Sequence, residues 1–193
     1  FSRFTMMFEK LDAPLPQELF DICRGTFDTH LAMEGYTARG LDPEFRKTEC
    51  RYIQRAKKEG AAQPKGIMLM EEFINDNGYP NYTPEILQIA RYGRGHFYKW
   101  HTDGSGRGYR KLSMSCLLND PSEYEGGDME FKLPNRVIPG EVEMVGQKTV
   151  VKLAKRQVLL FQPNVEHQVL PVFEGYRDSL VVWFLDKNNM LKA

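Results

Sequence analysis

The feature that most constrains the fold is a change of texture near residue 85. Upstream of it the apolar residues fall at helical spacing. Downstream, the chain turns to short runs with β character, cut apart by clusters of Gly, Pro and Asp. Eight such runs follow one another: Ile86–Tyr92, Phe97–Thr102, Lys111–Leu118, Asp128–Leu133, Thr149–Leu153, Gln157–Gln162, Glu166–Val172 and Asp178–Leu185. Strands at this spacing predict a sandwich or jelly roll. The last run, Ser179-Leu-Val-Val-Trp-Phe-Leu185, is apolar without alternation, so both of its faces are expected to be buried. One sheet therefore needs cover on its outer side, and the upstream helices are the available cover. The expected class is mainly β with N-terminal helices, an α+β arrangement: residues 1–84 as a helical segment packing on the major sheet, residues 85–193 as the β core, together one structural domain.

The helical part has two clear segments. Pro16 to Cys23 sets Leu19, Phe20, Ile22 and Cys23 near helical spacing, with Pro16 suited to a first turn. Gly66 to Asn77 repeats the pattern with Ile67, Met70, Phe73 and Ile74, and Gly78 follows as a stop signal. Between them the chain is charged and ambiguous, with a short strand expected near Arg51-Tyr-Ile.

Charge and cysteine content exclude several classes of function. With 26 Lys plus Arg against 26 Asp plus Glu, the net charge is about zero, so no strongly electrostatic grip on nucleic acid or an anionic membrane is expected. Cys23, Cys50 and Cys116 form an odd, widely spaced set without a CxxC pair. That suggests neither a zinc knuckle nor a disulfide framework, and is read as free thiols in a reducing cytoplasm. No apolar run approaches the roughly 20 residues of a membrane span. The first ten residues lack a signal-peptide layout, and the missing initiator Met is read as a sign of residues upstream.

The chemistry-bearing constellation begins at His101-Thr102-Asp103. On an extended segment, side chains at i and i+2 project to the same side, so an imidazole and a carboxylate can converge on one cation. Alone this is a weak signal. His167 strengthens it, because two His and one carboxylate on neighbouring strands form the facial triad, which leaves adjacent positions of an iron ion open. A zinc hydrolase could use the same set but would need a general base, and no HExxH-type helix is present. His30 and His96 have no carboxylate at a comparable offset. Arg177, ten positions after His167, is the discriminating residue. A dicarboxylic oxoacid needs its distal carboxylate held rigidly, and a guanidinium fork does so with two charge-assisted hydrogen bonds.

These residues sit inside a longer likeness. The stretch from Leu87 to Asp103 resembles the prolyl 4-hydroxylase superfamily, whose Tyr-x-x-Gly-x-x-Tyr-x-x-His-x-Asp signature falls here on Tyr92, Gly95, Tyr98, His101 and Asp103. Leu118-Asn-Asp-Pro-Ser-Glu-Tyr-Glu-Gly-Gly-Asp128 is similar to a run of the bacterial PKHD-type hydroxylases, and His167 to Arg177 resembles their His-x-Val-x-Pro-Val-x-x-Gly-x-Arg block. The likeness implies a double-stranded β-helix (cupin-like jelly roll) and iron(II) held by His101, Asp103 and His167. It further implies 2-oxoglutarate gripped by Arg177, with Tyr92 donating to its distal carboxylate and Tyr98 walling the pocket. Ascorbate as a reductant belongs to the same expectation. So does hydroxylation of an unactivated C–H bond, foremost in a prolyl residue of a peptide, with release of succinate and carbon dioxide. Another protein side chain or a small metabolite is the alternative substrate, and a non-catalytic jelly-roll binding module the alternative class.

Departures from that pattern are Asp128 where Glu is usual, a longer loop over Pro134–Lys148, and Arg177 in place of the Lys of collagen-type enzymes. Gly126-Gly127 is read as relieving backbone crowding at a strand start. Trp183 and Phe184 are read as core, and Gly104 to Tyr109 as the start of a mobile flap carrying Arg107, Arg110 and Lys111 over the substrate.

Overall fold

The computed structural model describes residues 8–37, 39–58, 60–104, 108–133 and 147–190. Two helices precede the long strands. α1 spans Gln17–Thr29 and α2 spans Lys65–Asp76, each opened by a proline, Pro16 and Pro64. A proline suits that place because it has no N–H to leave unpaired and its φ is already near helical. α2 stops where Gly78 takes φ +101°, a conformation side-chain-bearing residues rarely adopt.

The major sheet is built from β1 (Phe8–Lys10), β2 (Met33–Glu34), β4 (Glu49–Gln54), β5 (Tyr82–Tyr92), β7 (Arg110–Leu117), β11 (Val158–Phe161) and β14 (Arg177–Asp186), in the order β1-β11-β7-β14-β5-β4-β2. The minor sheet has the order β10-β9-β12-β6-β3, with β3 at Arg46–Lys47, β6 at Phe97–His101, β9 at Met129–Leu133, β10 at Gln147–Val151 and β12 at His167–Val169. A third, two-stranded sheet pairs β8 (Tyr124–Gly126) with β13 (Val172–Gly175). All the paired strands run antiparallel, and the architecture is the jelly roll that the spacing predicts.

The two-residue period of the strands sorts the major sheet into two faces. Leu180, Val182 and Phe184 of β14, with Leu87 and Ile89 of β5 and Met114 and Cys116 of β7, form one core with Leu19, Cys23, Ile67, Met70 and Ile74 of the helices. This core explains why β14 reads as a continuous apolar run: its even-numbered residues are covered by α1 and α2. The odd-numbered residues Arg177, Ser179, Val181 and Trp183 face the minor sheet and line the cavity between the sheets. A buried ion pair fixes the start of this strand. Asp178 accepts from Arg91 Nε and Nη2, both at 2.8 Å, and from Arg24 Nη1 of α1 at 2.6 Å.

Several expectations need correction. The run Glu166–Val172 is not one strand, because Pro171 interrupts it. β12 ends at Val169, and Val172 begins β13 in a different sheet. The segment before residue 85 does more than pack helices on a sheet, since it supplies β1, β2 and β4 to one sheet and β3 to the other. β5 also starts earlier than its apolar run, at Tyr82. Arg110 and Lys111 are not on a flap. They open β7, where Arg110 Nε donates to Glu85 at 2.7 Å and the guanidinium stacks 3.8 Å over Trp183. Arg107 and most of the 134–148 loop lie outside the described residues.

Candidate active site

The site is assembled by one irregularity in the minor sheet. Along β6 and β12, His101 pairs with His167 and Tyr98 with Val169, so three steps on one strand match two on the other. This bulge corrects the parity of β6: Tyr98 and His101, an odd number of residues apart, can both face inward. Asp103 follows just beyond the strand. Its backbone N–H and that of Gly104 both donate to the Pro163 carbonyl at 2.8 Å, which pins the turn. Asp103 Oδ1 then stands 3.9 Å from His101 Nε2 and 3.7 Å from His167 Nε2. All three donor atoms lie within 4.8 Å of one another.

Hydrogen bonding fixes the state of each donor. His101 Nδ1 lies 2.7 Å from the Lys99 carbonyl, and His167 Nδ1 lies 2.9 Å from the Val165 carbonyl. A carbonyl only accepts, so each Nδ1 carries the proton and each Nε2 presents a lone pair to the centre. Burial, reinforced by the His167 ring, holds the His101 pKa down to about 3, so the ring stays neutral. Burial pushes the Asp103 carboxyl upward, but the two imidazoles, the Ser113 hydroxyl and the Trp183 indole outweigh it, and the net shift is downward. The Ser113 hydroxyl donates to Asp103 Oδ2 at 2.7 Å, leaving Oδ1 for the centre. Phe131 and Phe161 pack against the His167 ring at 5.5 and 4.9 Å between centroids and keep that side dry.

Arg177 is 4% exposed. Its Nη1 donates to the Ser179 hydroxyl at 3.3 Å, and the Tyr92 ring centroid lies 5.9 Å from the guanidinium carbon. Among the described residues no carboxylate pairs with it. A guanidinium removed from water without a counter-charge is expensive, so its surroundings call for an anion. Gly127 makes room for its stem. A Cβ there would lie 3.0 Å from Arg177 Cδ and 2.9 Å from Val172 Cγ2, and Gly127 already holds φ +67°. Gly126 is equally constrained, its absent Cβ falling 2.4 Å from the Pro171 carbonyl oxygen.

Tyr92 pairs with Arg177 across β5 and β14 and is fully inside; burial raises its pKa against the opposing pull of Arg46 and Arg177, so it keeps a proton to donate. The Tyr98 ring lies face to face with His101 at 3.4 Å, and burial raises its phenol to about 12. The structure thus brings all six residues singled out in the sequence to one cavity, whose lining includes Tyr92, Tyr98, His101, Asp103, His167 and Arg177. His30, at the end of α1, and His96, between β5 and β6, both lie outside it. Asp128 is paired with Lys152 on the surface.

Two further residues were not legible as site residues. Trp183 is not plain core: it lines the cavity, and its buried indole N–H makes no hydrogen bond of ordinary geometry, lying only near enough to the Asp103 carboxylate to favour its charged form. Arg46 of β3, 5% exposed, also lines it. Two neutral imidazoles, one carboxylate and a guanidinium without a carboxylate partner fit a divalent transition metal bound beside an anionic ligand. Outward from this inner cavity opens a groove of about 600 Å³, lined by Tyr36, Phe45, Tyr52, Tyr98, Trp100 and Trp183 among others.

Comparison with known proteins agrees with this arrangement. The chain is 33% identical over 121 residues to a PKHD-type hydroxylase of Maricaulis maris strain MCS10, a match covering 62% of this chain and 49% of that protein, so it spans about half of that relative's length. Its fold resembles a prolyl-4-hydroxylase of Pseudomonas putida, with TM-score 0.67 at 20% identity over 94% of both chains. It also resembles a Trichoplax adhaerens prolyl hydroxylase in complex with a hypoxia inducible factor peptide fragment, with TM-score 0.70 at 17% identity over 98% of this chain and 88% of that one. A family model for the 2OG-Fe(II) oxygenase superfamily matches residues 87–185, the segment that carries His101, Asp103, His167 and Arg177. With half of its length inside that match, the chain belongs to the 2OG-Fe(II) oxygenase superfamily.

Proposed function

We propose that this chain is an iron(II)- and 2-oxoglutarate-dependent dioxygenase that hydroxylates an unactivated C–H bond of a prolyl residue in a peptide or protein. The observation that carries the oxygenase reading is Arg177: a buried guanidinium without a carboxylate partner, in the cavity where the three metal donors converge. A zinc hydrolase working on water has no use for it. A bound dicarboxylate does.

His101, Asp103 and His167 are the residues that would hold the iron. Arg177 and Tyr92 would hold the distal carboxylate, the first by its charged fork and the second by its phenolic proton. Bound there, iron(II) and 2-oxoglutarate supply the power to put one oxygen atom of O2 into the substrate's C–H bond, the oxoacid leaving as succinate and carbon dioxide. The chain's own contribution is orientation and dryness. Ser113 aims the Asp103 carboxylate, Lys99 and Val165 fix the two imidazole tautomers, and Phe131 and Phe161 exclude water behind His167. Ascorbate, as an external reductant that maintains iron(II), and a cytoplasmic setting belong to the same proposal.

The prolyl part is supported by the outer groove, whose aromatic walls suit an extended, proline-bearing segment of the kind other aromatic-lined grooves dock. The similar folds of a Pseudomonas putida prolyl-4-hydroxylase and a Trichoplax adhaerens prolyl hydroxylase support the same reading. The test is anaerobic addition of iron(II) and 2-oxoglutarate, which should give a visible charge-transfer band. A peptide screen for substrate-stimulated succinate release and a sixteen-dalton gain should follow. A protein that shows no band and turns over without oxygen would end the oxygenase reading. Turnover only on free metabolites would end the prolyl one.

A further inference from the structure

Arg46 has no role in the reading above, and its environment is unusual. It is 5% exposed on β3, opposite Tyr98 of β6. Its Nη1 donates to the Tyr36 carbonyl at 2.6 Å and its Nη2 to the Cys50 sulfur at 3.2 Å, while Nε has no acceptor. Among the described residues no carboxylate pairs with it. The guanidinium carbon lies 4.5 Å from the Tyr98 ring centroid, and that ring is stacked on His101. Gly35 closes over the group: a Cβ there would stand 2.5 Å from Arg46 Nε.

The inner cavity therefore has two buried guanidinium groups on its wall, Arg46 and Arg177, and neither is neutralised by an acid. They come from different sheets. Arg177 opens β14 beside Tyr92 and Gly127, whereas Arg46 is joined to His101 through the Tyr98 ring. The one carboxylate on the same lining, Asp103, is held by Ser113 and faces the two imidazoles rather than either arginine, so with a divalent metal bound the cavity keeps an excess of positive charge that a dianion would offset. 2-Oxoglutarate carries two carboxylates, and only one is accounted for by Arg177.

We infer that Arg46 is a second cosubstrate-recognition residue, which supplies positive charge at the metal end of the cavity, for the carboxylate that every 2-oxoacid shares. This rests on the oxygenase reading, so the test has to separate the two. The metal-stripped protein is loaded with manganese(II), which holds the site without turnover. Binding of 2-oxoglutarate and of 2-oxobutyrate, which lacks the distal carboxylate, is then measured by calorimetry. Arg46→Met is expected to weaken both acids by the same factor, about 10- to 50-fold. Arg177→Met is expected to weaken 2-oxoglutarate alone. Arg46→Gln, which keeps a donor for the Tyr36 carbonyl while removing the charge, is expected to show the same equal loss should the Met variant fail to fold.

Wild-type affinities in the folded Arg46 variants, beside a loss in Arg177→Met, would overturn the inference and leave the oxygenase reading intact. A loss confined to 2-oxoglutarate would move Arg46 to the distal end and overturn it as well. A wild-type protein that binds neither acid in the presence of manganese would overturn the oxygenase reading and the inference with it.

Discussion

Replacing Gly127 with alanine tests whether the placement of Arg177 is set by a missing side chain. Two costs add. Gly127 holds φ +67°, where an L-residue is strained by about 1–2 kcal/mol. The new Cβ would also meet Val172 Cγ2 at 2.9 Å and Arg177 Cδ at 3.0 Å, an overpacking that costs about 1–3 kcal/mol. Together these predict a loss of about 2–5 kcal/mol, or roughly 5–15 °C in melting temperature for a domain of this size. The strain cannot be relieved without moving either β13 or the Arg177 stem. The concentration of 2-oxoglutarate giving half-maximal succinate release should therefore rise about tenfold or more, since misplacement by an ångström is enough for such effects. Gly95→Ala is the control. Gly95 has φ +76° but nothing within 4 Å of its absent Cβ, so it should pay only the strain, with no change in oxoacid requirement. Calorimetric melting and succinate assays on both variants decide the matter. A folded Gly127→Ala enzyme with a wild-type oxoacid requirement would refute the reasoning.

Other outcomes follow from the same structure. Arg177→Ala should raise the apparent 2-oxoglutarate requirement far more than Arg177→Lys, because lysine keeps the charge and loses only the fork; equal effects in the succinate assay would show that charge there is irrelevant. Ser113→Ala removes the hydroxyl that donates to Asp103 Oδ2 and should weaken metal binding about 10-fold, read by competition with a chromogenic chelator; unchanged affinity would show that the carboxylate orients itself. Glu71 is pushed up by burial but pulled down further by Lys187, Thr83 and Arg55, so its net pKa is lowered on folding. Its contribution to stability is thus present above the unfolded carboxylate value of about 4.3 and fades as pH falls through the lower folded value. The difference in denaturation midpoint between wild type and Glu71→Gln should shrink below about pH 4; a difference constant from pH 7 to 3 would contradict the assignment.

What the sequence made legible depended on whether a residue's role was written in local spacing. The alternation of apolar runs located the long strands, because burial of one or both faces leaves a two-residue signature. Pro16 before the first helix and Gly78 after the second marked those two ends for equally local reasons. His101, Asp103, His167 and Arg177 stood out through motif spacing, and the structure gathers them in one cavity. Arg46 did not, since β3 is two residues long and an arginine in a charged stretch reads as solvated; only its pairing with Tyr98, set by the tertiary fold, takes it inside. Trp183 was misread for a related reason. Its neighbours Val182 and Phe184 belong to the helix-covered core, and an uninterrupted apolar run hides which alternate residues look into the site. The break at Pro171 was visible but outweighed by the β-branched residues around it.

The extra residue in β6 has a consequence for how such a chain can vary. Because the surplus residue lies between Tyr98 and His101, deleting Lys99 or Trp100 would leave two steps against two, a regular pleat in which the imidazole still shares the face of Tyr98. Pairing the same residues without the bulge, three steps against three, would instead turn the imidazole to the outside while the rest of the jelly roll still closed. Length changes elsewhere in the surface turns can be absorbed where they occur, but the parity of this short interval decides which way His101 points, and a chain that ironed out the bulge at its present length would keep its shape and lose one of the three donors.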